Sequence, residues 1–134
     1  MINLIVGTKG SGKTKTLIDL INTAAKNTKG NVVCIEKGLK LTYDLDYSVR
    51  LVDIEQFGVS GFDAFYGFIA GILSSDHDCT DIFVDATLKI TGRDYAKVGE
   101  MFEALAKISP DTTITLTVSA DNAELPESVL KFIG

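Results

Sequence analysis

The sequence predicts an α/β protein of three layers, α/β/α, around a mostly parallel five-stranded sheet. Three observations predict it. Short apolar runs alternate with segments whose apolar residues recur every three or four positions, the pattern of strands joined by crossover helices. The first apolar run passes straight into a glycine- and lysine-rich stretch, GTKGSGKT at residues 7–14, and then into a helical pattern. The run Ile82–Val84 is apolar on consecutive residues, as a strand buried on both faces requires.

The elements follow in order. Ile2–Val6 is the first strand. A helical pattern then runs from Ser11 to about Lys26, with Leu17, Ile18, Ile21, Ala24 and Ala25 on one face, and Gly30 stops it. Val32–Ile35 is short and apolar, a second buried strand. Residues 37–47, KGLKLTYDLDY, form an excursion with the character of a small hairpin tipped by Asp44–Asp46. Its Tyr43 and Tyr47 either pack locally or form a partner or substrate surface. Ser48–Ile54 is a third strand, weakly alternating, and Arg50 marks it as an edge.

Ser60 caps a second helix with Phe62, Phe65, Tyr66, Ile69, Ile72 and Leu73 on one face. The loop SSDHDCTD leads to Ile82–Val84, which ends at Asp85. Asp94 caps a third helix with Tyr95, Val98, Phe102, Leu105 and Ile108 inward, and Pro110–Asp111 turns the chain. Thr113–Ser119 alternates strictly, with Ile114, Leu116 and Val118 on one side and threonines on the other. That polar face suits an edge strand. A short helix from about Pro126 to Ile133 follows.

Composition bounds the function. The 134 residues are the size of one domain, and with 46% apolar and 23% charged residues a core can form. A net charge of −5 without a basic stripe argues against direct nucleic-acid binding. The N-terminal apolar run is too short, and lacks the basic flank, for a signal peptide. No segment has the ~18 apolar residues of a membrane span. Cys34 and Cys79 are unspaced singles, the pattern of a reduced, cytoplasmic protein, and Cys34 reads as a core residue. His77 is the only histidine, which excludes a histidine-based triad or multi-histidine metal site. Its neighbours Asp76, Asp78 and Cys79 are metal-binding types, but adjacent residues cannot all aim at one ion. A solvated loop is the simpler account.

Gly7-Thr8-Lys9-Gly10-Ser11-Gly12-Lys13-Thr14 matches G-x-x-x-x-G-K-[ST] in full. The glycines let the backbone curl so that several amides point inward, and the helix N-terminus adds partial positive charge. Lys13 can then reach the β- and γ-phosphates of a nucleotide, and the Thr14 hydroxyl can ligate Mg²⁺. The bland alternative is a glycine-rich turn that merely opens a helix.

On these eight residues the chain resembles the P-loop NTPase superfamily, whose Walker A signature they form. It also looks like the small bacterial P-loop proteins of unassigned role that are sometimes linked to RecA-like or motility ATPases. The deviant lysine signature of the ParA/MinD group does not fit, because Lys9 stands four residues before Lys13, not five. The resemblance implies a P-loop fold, ATP and Mg²⁺ as ligands, and a second motif in which an apolar strand ends in a metal-binding Asp. Asp85 is preferred for that role. Asp53, with Glu55 nearby, is the alternative. Either can instead be a carboxylate that caps a turn.

Many P-loop ATPases place the water-orienting Glu directly after that Asp, where this chain has Ala86. The substitute is Glu36, at the end of the second strand, where the RecA-like ATPases carry theirs. A solvated turn residue is the competing account of Glu36. Ser119 and Asp121, after the last strand, either sense the γ-phosphate or cap the final helix. Arg93 is either a charge-stabilising finger or a helix-start surface residue. A RecA-like order would insert the last strand between the first strand and the Asp85 strand; the threonine face suggests an edge instead, and of the two the RecA-like order is preferred.

The functional expectation is therefore an ATP-binding protein, a weak Mg²⁺-dependent ATPase or nucleotide switch acting with a protein partner or as a homo-oligomer. The catalytic set would be Lys13, Glu36 and Asp85, with Thr14 and Asp85 on the metal. ATP is favoured over GTP because no N-K-x-D motif occurs. The alternatives are a small phosphotransferase, disfavoured by the presence of only two arginines (Arg50 and Arg93), and a regulatory module that holds nucleotide without turnover.

Overall fold

The computed structural model describes the chain apart from Leu39, Thr42, Tyr43 and Gly134. The expected reading of Tyr43, and part of the expected hairpin at 37–47, lie outside the described residues. Five strands form one sheet: β1 Ile2–Gly7, β2 Asn31–Glu36, β3 Arg50–Asp53, β4 Cys79–Val84 and β5 Thr113–Ser119. Every pairing is parallel, and the order is β1-β5-β4-β2-β3. The helices are α1 Lys13–Asn27, α2 Phe62–Ser75, α3 Thr87–Thr91, α4 Tyr95–Ile108 and α5 Glu127–Leu130.

The sheet separates two apolar clusters. On one side α2 and α4 lay Phe65, Ile69, Val98, Phe102 and Leu105 over Val33, Ile35, Ile82, Val84, Ile114 and Leu116. On the other, Leu17 and Ile21 of α1 meet Val32, Cys34 and Phe83, joined by Leu41 and Val49 from the 37–49 segment. Among the described residues no helix lies between β2 and β3. The α1 amphipathic spacing is thus explained by one buried stripe, while the more apolar α2 and α4 cover the larger cluster. The outer edge of β1 is partly covered, because the Leu4 amide donates to the Phe132 carbonyl at 3.1 Å. Among the described residues no helix is long and apolar enough to cross a membrane.

Several local expectations are corrected. The second helix is capped at Gly61, one residue after Ser60, with no side-chain cap. The 3-10 turn Ile54–Phe57 and the helix α3 have no counterpart in the periodicity. β5 is a central strand between β1 and β4, the placement the resemblance favoured and the threonine face argued against. Its threonines are inside: Thr115 is 6% exposed and Thr117 1%. Asp94 does cap α4, accepting from the Lys97 amide at 3.3 Å.

Candidate functional site

All strands point their carboxyl ends to one edge, so the residues that follow them converge there. β1 ends at Gly7, the loop 8–12 turns, and α1 begins at Lys13. Gly10 (φ 85°) and Gly12 (φ 89°) occupy the left-handed region that a side chain would strain. A Cβ on Gly7 would lie 2.3 Å from Ser11 Oγ and 3.1 Å from Ser11 Cβ, so a side chain there would have to displace the Ser11 hydroxyl. The Lys13 ammonium folds back to donate to the Thr8 carbonyl at 2.9 Å, and the Ser11 amide donates to the same oxygen at 3.1 Å. Thr8, Lys9, Gly10, Ser11, Gly12 and Thr14 are exposed.

The start of α1 departs from what a helix prefers. Gly12 offers no side-chain cap, and the first turn holds no acidic residue. Lys13 and Lys15 stand there instead, with Lys9 just before. Cations at a helix N-terminus oppose the macrodipole, by about 0.3–1 kcal/mol each. Uncapped amides and unfavourably placed lysines at one point are what an anion site requires.

A row of carboxylates lies on the same sheet face as α1. Glu36 pairs with Asp53 across β2 and β3. Asp85 follows Val84, the register partner of Ile35, which places it beside Glu36. The Cys34 thiol, one step back along the same face, is pushed up to about 12, by burial first and then by the charges of Glu36 and Asp85.

The three carboxylates are held differently. Asp53 accepts from the Gly38 amide at 2.9 Å and the Glu55 amide at 3.1 Å, so it clips the 37–41 segment and caps a turn. Glu36 is only 2% exposed and accepts from the Lys40 amide at 2.8 Å and the Leu41 amide at 3.3 Å. It is a buried clip rather than a solvated turn residue. Asp85 accepts at Oδ1 from the Thr117 hydroxyl at 2.7 Å.

Burial raises the Glu36 pKa above its ordinary value of 4.5; the two amides pull it down, and Asp85 and Asp53 push it further up. A raised native pKa means that the folded chain holds this proton more tightly than the unfolded chain. The stability contributed is full below the ordinary value and is lost as pH rises through the raised one. Urea unfolding of the parent and Glu36→Gln, compared from about pH 4 to about pH 7, is expected to show a stability difference that shifts in the variant's favour with rising pH. A difference that is flat with pH would contradict the shift.

The other candidates are placed as follows. Arg93 donates to the Ser119 carbonyl at 3.0 Å, and Ser119 pairs with Gly7, so the guanidinium sits at the rim of the glycine loop. Asp121 caps the 3-10 turn Asn122–Glu124 in a reciprocal capping box, not the final helix. His77 is exposed in the loop at the amino end of β4, the far edge of the sheet.

Sequence reasoning missed what two residues do here. Ala86, directly after Asp85, has φ 56° and ψ 50° and is the one non-glycine residue at positive φ among those described. Thr117 binds both its amide and the Asp85 carboxylate. The strict alternation of β5 was the available signal for Thr117, and it pointed to solvent instead. Thr87, next along, is fully buried with no partner for its hydroxyl among the described residues. Thr87→Val removes that cost at equal shape and is expected to raise stability by about 1 kcal/mol in urea unfolding. A loss of similar size would show that the hydroxyl is satisfied.

Among the described residues no three His, Cys, Asp or Glu side chains gather into a metal site. A phosphate-bound Mg²⁺, which typically uses one or two carboxylates besides phosphates and retained waters, would fall to Thr14 and Asp85. No protein-family model matches the chain, and no curated protein matches it.

Proposed function

We propose that the chain binds ATP through the glycine loop 7–14 and acts as a Mg²⁺-dependent nucleotide switch or weak ATPase, in partnership with another protein or with copies of itself. The observation that carries this reading is the N-terminus of α1. It gathers uncapped amides, two glycines at positive φ, and Lys9, Lys13 and Lys15 at the positive end of the helix dipole. A triphosphate satisfies all of these at once. In this reading Gly7 to Thr14 cradle the phosphates, and Lys13 leaves the Thr8 carbonyl for the terminal phosphates. Bound Mg²⁺ would neutralise phosphate charge, held by Thr14 and Asp85.

The strand order supports a RecA-like arrangement within the P-loop superfamily, since β5 lies between β1 and β4. Asp53 and Asp85 each have Oδ1 engaged and Oδ2 left, so sheet position is what favours Asp85 for the metal: it follows β4, two strands from the glycine-loop strand β1, whereas Asp53 ends the far edge strand β3. One observation favours a second reading, a module that holds nucleotide with little turnover. Glu36, the candidate for positioning water, has its carboxylate engaged by the Lys40 and Leu41 amides. Turnover would require that clip to open.

Calorimetric titration with ATP, ADP and GTP, each with Mg²⁺ and with EDTA, tests the proposal. Saturable binding of ATP, tighter with Mg²⁺, is expected. No heat from any of them at millimolar concentration would contradict it. Phosphate release equal in the parent and Glu36→Gln would favour the low-turnover reading.

A further inference from the structure

Thr117 sits on β5, beside the Asp85 strand β4 on one side and β1, the strand that ends in the glycine loop, on the other. It is 1% exposed. Its hydroxyl oxygen accepts from the Ala86 amide at 2.7 Å. An amide can only donate, so the single hydroxyl proton is left for Asp85, and it is donated to Oδ1 at 2.7 Å. The relay runs in one direction, from the Ala86 N–H through the Thr117 O–H to the Asp85 carboxylate. It fixes one carboxylate oxygen and leaves Oδ2 for another partner.

The second observation is backbone strain. Ala86 is held in the left-handed region, which strains a non-glycine residue. Such outliers persist only where the surroundings enforce them, and they gather at functional sites. Here the bond from the Ala86 amide to Thr117 enforces it. The strained turn and the buried hydroxyl thus act on the same side chain from two directions.

We infer that Thr117 is a positioning residue that locks the Asp85 carboxylate in one rotamer for a phosphate-bound divalent cation. The cation's part in this rests on the nucleotide reading above; the locking of Asp85 does not. It also gives a role to a hydroxyl buried in a central strand. β5 supplies the outer partner that orients a metal-facing carboxylate, and such partners typically contribute 10–100-fold to metal affinity.

Thr117→Val keeps the shape and removes the hydroxyl, and Thr117→Ser keeps the hydroxyl. In the ligand-free protein, three-bond couplings about Asp85 χ1 should report one rotamer in the parent and in Thr117→Ser, and averaging in Thr117→Val. The second readout is the ratio of ATP affinities with Mg²⁺ and with EDTA. Thr117→Val should lose about 10–100-fold of the Mg²⁺ enhancement while its affinity in EDTA stays at the parent's value. Thr117→Ser should restore the enhancement. A fixed Asp85 rotamer in Thr117→Val, or equal losses in both variants, would overturn the inference. If the parent binds no ATP at all, the nucleotide reading and the cation's part fall, and the couplings still decide whether Thr117 locks Asp85.

Discussion

Lys13→Ala is expected to weaken Mg·ATP binding by roughly tenfold to a hundredfold. The estimate follows from deleting a hydrogen bond to a charged partner, about 1.5–3 kcal/mol. The fold should survive the change. Lys13 is only partly buried, and its one hydrogen bond, to the Thr8 carbonyl, is exposed. The substitution even removes a cation from the positive end of α1, which favours the helix slightly. Unfolding and binding should therefore move in different directions: stability held or raised, affinity lost. Calorimetry and urea unfolding on one preparation check both. Parent-like affinity in Lys13→Ala would mean that the lysine does not reach the phosphates.

Phe102→Ala is expected to have the largest effect on stability, a loss of about 3–5 kcal/mol. Phe102 is fully buried on α4. Its ring meets Phe132 edge-on, with centroids 5.8 Å apart and planes at 76°. Truncation opens a cavity in the larger core cluster and also releases the segment that covers the β1 edge, where the Phe132 carbonyl accepts from Leu4. Urea unfolding should show a lower midpoint with an unchanged slope. A loss under about 1 kcal/mol would mean that α4 does not pack on the sheet as described.

What the sequence showed, and what it hid, divides by how local the cause is. The glycine loop is contiguous, so its residue types, its strand before and its helix after could all be read together. Asp85 was legible because a consecutively apolar strand ends there. β3 was legible as an edge through Arg50. For β5 two signals disagreed: the resemblance favoured a central place and the threonine face an edge. Alternating threonines ordinarily mean a solvated face, yet Thr115 and Thr117 are buried in a central strand, and Thr117 has a partner next to another strand, Asp85. Strand order depends on contacts between residues far apart, and periodicity does not contain it.

The same holds for the carboxylates. Asp53 and Glu36 differ from Asp85 in what they accept from, and those donors come from the 37–41 segment and the turn after β3. No spacing rule distinguishes a carboxylate that clips a loop from one that is held by a neighbouring strand. α3 escaped for a simpler reason: five residues are too few for a helical period to register.

The central claim is that main-chain amides at the start of α1 hold a triphosphate. Amide chemical shifts recorded on titration with Mg·ATP test it most directly. The account predicts the largest changes at Gly10, Gly12, Lys13 and Thr14, with Thr117 and Ala86 following when Mg²⁺ is present. Changes confined elsewhere would contradict it, for instance to the groove between α2 and α4 lined by Phe62, Tyr66 and Met101 on the opposite sheet face.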